Sequence, residues 1–234
     1  MEFDIGKWLG KIIVEPGNYQ ALFEFAESEK YLEAHTQGRS VLPSNGTERT
    51  VADLDEPIRE QVVATISASV KRALDTYSSQ MIVLAIALVE GMTQEYVQSI
   101  FRKHPSRMHR FLNGGGQSGQ VSFKLITESE DKEQILASLA RDSSNTLMQG
   151  KFDKSLERVE SISKDQIPDD LKEELVRLSK VRNQIVHEAH TPSIDKQDVK
   201  SAFDRLHELL RWYGAAAVAQ SVPIHDPTEL VASR

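Results

Sequence analysis

One apolar run, Met81 to Val89, constrains the fold of this chain more than any other feature. It lies near the start of a helical segment that we expect from about Gln80 to Lys103, and its side chains are apolar nearly all round the helix. A helix without a polar face has to be covered on every side, so the run predicts a central, buried helix. It is about half as long as a membrane span has to be, and we therefore expect no membrane partner.

Helical patterns dominate the rest of the chain as well. A helix is expected to begin at Pro168 and to end before Pro192, and Asp195 can cap the helix that follows. Because helix follows helix, the sequence predicts an all-α fold, a helical bundle. The apolar stripe of the last helix is Val199, Phe203, Leu206, Leu210 and Tyr213. Further helices are expected at Asn18–His35, from Pro57 onward with a break at Tyr77–Ser79, and at Ser106–Leu112, Asp131–Gln149 and Lys154–Ser163.

Turn and loop signals divide the chain into expected parts. Pro16-Gly17 is a turn signal, residues 38–54 have the composition of a loop, and residues 121–126 alternate weakly, as a short strand does. The tail after Ala219 is expected to fray. We therefore expect a partly helical N-terminal extension at residues 1–55, a helical domain at 56–219 and a flexible C-terminal tail at 220–234.

Composition limits the chemistry that the chain can perform. Its 234 residues contain no cysteine, which excludes disulfides, thiolate metal sites and cysteine nucleophiles, and fits a cytoplasmic protein. The net charge of −7 argues against broad nonspecific binding of nucleic acid but leaves room for a local basic site. No signal peptide is evident at the N-terminus.

Arg182 is the most informative single residue. The helix that carries it has an apolar stripe, and at about 100° per residue Arg182 falls inside that stripe. A guanidinium that faces a core needs a partner, because an unpaired buried charge is too costly to keep. Glu90, the only charged residue within Met81–Met92, is the obvious partner in a structural ion pair. Alternatively, Arg182 is held toward a cleft where it can bind a phosphate and stabilise its transition state. The stripe is Leu171, Leu175, Leu178, Val181 and Ile185.

Asn183 and His187 share another face of the same helix, because they are four residues apart. The helix dipole near the C-terminal end favours the charged imidazolium, which suits a general acid or a phosphate-binding group. A histidine at a helix end can equally be a plain terminal residue, and Asn183 can orient His187 or simply form a hydrogen bond within the bundle.

The run from Leu175 to Glu188, LVRLSKVRNQIVHE, resembles the signature segment of the HEPN superfamily, in which an arginine and a histidine are separated by four residues. The helical context extends this similarity over about Leu74 to Tyr213. Members of that superfamily are small all-helical domains, and many are metal-independent ribonucleases. The resemblance implies that Arg182 and His187 act in catalysis and that Asn183 matches the polar residue that often follows the arginine.

The resemblance also implies how Arg182 and His187 could meet. On one continuous helix they diverge by about 140°, so they converge only if the helix ends early or if a second copy completes the site. The superfamily solves this by forming dimers in which the two motifs face each other, and we expect a homodimer here. Some members paired with a nucleotidyltransferase antitoxin carry a tyrosine two residues after the histidine. Ala189 takes that place here, so modification of such a tyrosine is not expected.

One dense basic segment stands out in this acidic chain. It contains Arg102, Lys103, Arg107 and Arg110, with Phe101 and Phe111 on either side. Contact with RNA phosphates and a solvated connector at a helix C-terminus are equally good interpretations.

Two other candidate sites are weaker. His187, Glu188 and His190 do not have the spacing of a zinc helix, so we expect no metal and no cofactor. The glycines at residues 114–116 lack the Gly-Lys-Ser/Thr ending of a phosphate-binding loop.

Two functions remain. The favoured one is a HEPN-like endoribonuclease that cleaves RNA by attack of the 2′-hydroxyl without a metal, as a toxin or a phage-defence effector, with an antitoxin or a defence-system component as candidate partner. The alternative is a non-catalytic HEPN-like module that binds nucleotide or RNA, or dimerises, within a larger complex.

Overall fold

The computed structural model describes residues 2–41, 49–112, 129, 131–187 and 192–231. These are mostly helical, which confirms the all-α prediction. The expected strand at residues 121–126 lies outside the described residues. The α-helices are α1 (Ile5–Glu27), α2 (Glu29–Gln37), α3 (Glu56–Lys103), α4 (Lys132–Met148), α5 (Phe152–Ser163), α6 (Asp169–His187) and α7 (Lys196–Ala219), with 3₁₀ turns at Val51–Asp53 and Pro105–Arg110. The short strands are β1 (Phe3–Asp4), β2 (Ser40–Val41), β3 (Arg49–Thr50) and β4 (Ile224–His225).

Helix α3 is the central element of the bundle, as the apolar run predicts. It contacts α1, α4, α5, α6 and α7, and Met81, Ile82, Ile86 and Val89 are almost completely buried. The expected break at Tyr77–Ser79 is wrong, because α3 continues through it. Ser78 and Ser79 donate hydrogen bonds to carbonyls one turn earlier in α3, at 3.0 and 3.1 Å, so their hydroxyls are satisfied within the helix and do not interrupt it.

One 18-residue window of α3 is long and apolar enough to cross a membrane, with a mean hydropathy of 1.2. Half of that window is buried inside the protein. A central helix of a folded bundle has the same composition, because it is covered by its neighbours.

Helix α1 differs from the sequence prediction. It begins at Ile5, where the Asp4 side chain accepts a hydrogen bond from the Lys7 amide at 2.9 Å, and it continues through Pro16-Gly17. The expected turn at this dipeptide is therefore wrong. Proline removes one backbone hydrogen bond, and the burial of Ile12 and Tyr19 on either side of Pro16 holds the helix together across the gap.

The two ends of the chain meet. Strand β1 pairs in parallel with β4, with Phe3 opposite Ile224, and Phe3 and Ile5 are fully buried in the same core as α3 and α7. The first residues of the expected N-terminal extension thus pack directly against the helical domain. Within the expected C-terminal tail, Val222 is buried and Ile224–His225 pairs with the N-terminal strand.

Candidate functional site

Helix α6 positions the residues of the Arg-Asn…His motif. It begins after Pro168, and its buried residues include Leu171, Leu175 and Leu178, as the apolar stripe predicts. The stripe becomes less buried toward the C-terminal end of the helix, where Arg182 is half-buried and not fully enclosed. The Arg182 guanidinium donates a hydrogen bond to the Asn183 side-chain oxygen at 3.0 Å. Among the described residues, this is its one hydrogen-bond partner, so most of its donor groups remain available to a ligand.

The expected ion pair between Arg182 and Glu90 is not present among the described residues. Glu90 is exposed, and the two side chains line the same cavity without forming a salt bridge. Because α3 presents Glu90 to solvent at the edge of its apolar run, this carboxylate does not need a buried partner. Within the described ranges, Arg182 likewise forms no salt bridge with any other residue.

Arg182 borders a cavity of about 960 Å³, which we call the Arg182 cleft. It lies between α3, the end of α4, the start of α5 and α6. This volume falls in the range of small-molecule sites. Its polar and charged lining residues include Glu90, Gln94, Asn145, Lys180, Arg182 and Asn183, and Phe152 contributes an aromatic ring.

His187 does not line the Arg182 cleft, while Asn183 does. His187 is the last residue of α6, and its side chain is exposed. Since α6 is continuous to His187, the possibility that the helix ends early is excluded, and Arg182 and His187 diverge by about 140°. His187 lies about 6 Å beyond Asn183 along the helix axis, on the same face. Within one copy, the structure therefore brings Arg182 and Asn183 together and leaves His187 outside.

The loop between α4 and α5 forms one wall of the cleft and is held in place by Arg158. This guanidinium donates to the carbonyls of Leu147 and Gln149, at 2.6 and 2.7 Å. Gly150 follows with a φ of 93°, a conformation that L side chains rarely adopt. Elsewhere in the lining of the cleft, the Gln94 side chain donates to the Asn145 side-chain oxygen at 2.6 Å, which joins α3 to α4.

The basic segment lies at the other end of the bundle, about 18 Å from Glu90 along α3. Two of its four cations have structural partners. Arg102 forms a salt bridge with Glu133, and Arg107 donates to the Ile162 carbonyl and to the Gln220 side chain, both at 2.6 Å. Lys103 and Arg110 are exposed. Of the four predicted residues, these two have no partner in the part of the chain that the structure describes, and they are the ones available for phosphate contacts.

Two buried tyrosines lie deep in the bundle. Burial raises the pKa of Tyr96 and of Tyr213 far above the ordinary value. Tyr96 donates to Ser163 at 2.8 Å, and the hydroxyls of Tyr213 and Thr93 are 2.6 Å apart. These phenols therefore stay neutral and serve as hydrogen-bonding groups that hold the bundle together.

No group of three or more residues able to ligate a metal occurs within the described part of the chain. Three residues named in the sequence analysis lie outside the described residues. They are Glu188 and His190, which were considered as metal ligands, and Ala189, which takes the place of the tyrosine found in some HEPN proteins.

Searches against protein-family models, curated proteins and solved structures found no match.

Most residues that line the cleft were not predicted from the sequence, and Gln94, Asn145 and Phe152 are among them. Gln94 follows Glu90 by four residues, so the two share a face of α3, and this signal could have been found. Asn145 and Phe152 come from other helices, and only the packing of α4 and α5 brings them to Arg182.

Proposed function

We propose that this chain is a metal-independent endoribonuclease of the HEPN type. The observation that carries the proposal is the state of Arg182: it is half-buried, borders the cleft and has only one hydrogen bond, to Asn183, among the described residues. A guanidinium held in this way can form two parallel hydrogen bonds with a phosphate. The motif's resemblance to the HEPN signature supplies the reaction class.

In the proposed reaction, the 2′-hydroxyl of RNA attacks the adjacent phosphorus, and the bond to the 5′-oxygen of the next nucleotide breaks. Arg182 stabilises the extra negative charge on the phosphorane. His187 transfers a proton to or from the reacting oxygens. Asn183, bonded to Arg182, holds the guanidinium in orientation.

A second copy of the chain would bring His187 to Arg182. The last turn of α6 presents exposed Asn183 and His187 together with Val186, whose side chain is 47% exposed. Two such turns related by a two-fold axis would cover Val186 and place His187 of one copy near Arg182 of the other. We therefore propose a homodimer through this face.

The biological setting follows from the same resemblance. We propose an RNA substrate in the cytoplasm and a role as a toxin or as an effector of phage defence, with an antitoxin or another defence-system component as partner.

One observation favours the second candidate, a non-catalytic HEPN-like module that binds RNA or nucleotide. His187 lies outside the Arg182 cleft in a single copy. A chain that stays monomeric would then offer a binding cleft without the proton-transfer group.

Cleavage of RNA in EDTA distinguishes the two candidates. We expect purified protein to cleave a mixed-sequence RNA in EDTA and to leave products with 2′,3′-cyclic phosphate ends. The cleavage rate of His187→Ala should be at least about a hundredfold lower than that of the wild type. Its midpoint of urea unfolding should equal that of the wild type, because the side chain is exposed. Activity that requires an added divalent metal, or a folded His187→Ala protein with the wild-type rate, would contradict the proposal.

Mixing variants tests whether the site is shared between copies. Arg182→Ala and His187→Ala are each expected to be inactive. After they are mixed in equal amounts and allowed to exchange, about half of the dimers hold one copy of each, and each such dimer has one complete site, so about a quarter of the wild-type activity should return. No recovery in a mixture shown to exchange would place both groups in one copy and refute the shared site.

A further inference from the structure

The wall of the Arg182 cleft formed by α3, α4 and α5 has a composition of its own. Gln94 and Asn145 contribute side-chain amides, and Phe152, the first residue of α5, contributes a half-buried ring. None of the three belongs to the Arg-Asn…His motif. All three line the same cavity as Arg182, so a ligand that fills this cavity would reach the amides, the ring and the guanidinium.

We propose that Gln94, Asn145 and Phe152 form a subsite for one nucleobase of an RNA strand, next to the phosphate that Arg182 holds. This proposal rests on the proposed ribonuclease function and adds the group that the cleft recognises. Aromatic side chains stack on the flat face of any base. Side-chain amides match the edge of a base, because each amide offers a donor and an acceptor side by side.

The hydrogen bond between Gln94 and Asn145 arranges these groups. Gln94 uses one of its two N–H donors on the Asn145 oxygen. Among the described residues, no further partner is found for the Gln94 oxygen or for the Asn145 amino group. The Gln94 oxygen, the second N–H of Gln94 and the two N–H groups of Asn145 thus remain for a ligand. These groups can bond the edge of a base while the hydrogen bond between the two side chains is kept.

The cleft is large enough for a base with its phosphate, and its charge fits a phosphodiester. Three cations line the cleft, Lys180 and Arg182 on α6 and Lys151 on the loop between α4 and α5. Two anions, Glu90 and Asp153, line it as well. The amides bear no charge, so they can bind a neutral base while the cations of α6 bind its phosphate. Phosphate binding and base recognition are in this way assigned to opposite walls.

Binding of an uncleavable strand tests the subsite independently of catalysis. The probe is a fluorescent hexamer with 2′-O-methyl sugars, which lack the attacking hydroxyl, compared with the same backbone carrying abasic sugars, with affinities measured by anisotropy in EDTA. We expect the wild-type protein to bind the base-bearing strand about tenfold more tightly than the abasic strand, as loss of one stacked base implies. Equal affinities would overturn the subsite.

Gln98 supplies a matched control. It lies one turn after Gln94 on α3 and donates to the Ser144 hydroxyl at 3.2 Å, but it does not line the cleft. Gln94→Ala and Phe152→Ala should each reduce the preference for bases, and Gln98→Ala should keep it. A preference reduced equally by Gln98→Ala, or unaffected by Gln94→Ala and Phe152→Ala in folded proteins, would refute the assignment.

The results separate the two proposals. A base preference that depends on Gln94, in a protein that cleaves no RNA, would support the subsite and refute the ribonuclease. Cleavage of RNA by a protein that binds the abasic strand equally well would support the ribonuclease and refute the subsite.

Discussion

Arg182 and Arg107 are both half-buried arginines, and the fold uses them in opposite ways. Arg107 donates to a main-chain carbonyl, that of Ile162, and to Gln220, and so ties the basic segment to the ends of α5 and α7. Arg182 donates only to Asn183, its neighbour on the same helix, among the described residues. Sequence proximity to other cations drew attention to Arg107, yet of these two arginines Arg182 is the one with most of its donors unused among the described residues.

This difference indicates that a cluster of positive charge in the sequence does not by itself identify an arginine that is free to bind a phosphate. A guanidinium that already satisfies buried acceptors cannot turn to a ligand without leaving those acceptors unpaired, which costs free energy. A half-buried guanidinium with spare donors is oriented by its surroundings and still available. The predictions that follow test this contrast.

The largest expected effect on stability belongs to Arg107→Ala. The Ile162 carbonyl would lose its side-chain donor in a region where Ile162 is nearly buried, and we expect a loss of about 1–3 kcal/mol in the free energy of unfolding. Arg182→Ala should cost less than about 1 kcal/mol, because its partner Asn183 is exposed. Urea denaturation followed by circular dichroism measures both. A larger loss for Arg182→Ala would show that Arg182 is a structural residue.

Neutralising the two exposed cations of the basic segment should have a smaller effect. We expect Lys103→Gln with Arg110→Gln to weaken RNA binding by about tenfold or less and to flatten its salt dependence, because fewer counterions are released. The rate at saturating RNA should not change.

The matched control for this double variant is Lys30→Gln with Lys71→Gln, which removes the same charge from exposed lysines elsewhere. Identical affinities and salt slopes for the two double variants would show that the basic segment is a solvated connector.

The smallest effect is expected from Glu90→Gln. Since Glu90 is exposed and forms no salt bridge with Arg182 among the described residues, the free energy of unfolding should change by less than about 0.5 kcal/mol. A loss of several kcal/mol in urea denaturation would reveal an ion pair that holds α3 to α6.

Much of the fold could be predicted because its signals are local. The apolar run identified the central helix, and Asp195 forms the capping box of α7 with Asp198. Pro16-Gly17 and Tyr77–Ser79 misled the prediction, because buried neighbours and back-bonded serines keep both segments helical. The pairing of β1 with β4 joins residues from opposite ends of the chain, and no local pattern announces it.

Of the candidate site, the sequence allowed a prediction mainly of the residues on α6. Arg182, Asn183 and His187 follow from their spacing on α6, but the burial of Arg182 and the exposure of Glu90 depend on how α3 and α6 pack. Asn145 and Phe152 reach the cleft through α4 and α5, so their role required the three-dimensional structure.

The central claim is that Arg182 is free to bind a phosphate whereas Arg107 is held by the fold. Replacing each arginine by lysine, in two separate variants, tests this claim most directly. Lysine keeps the charge but loses the planar fork that grips a phosphate. In an RNA cleavage assay in EDTA, with all proteins shown to be folded at the assay temperature, we expect Arg182→Lys to lose at least about a hundredfold in rate and Arg107→Lys to stay near the wild-type rate. Wild-type cleavage by Arg182→Lys, or an equal loss in Arg107→Lys, would contradict the account.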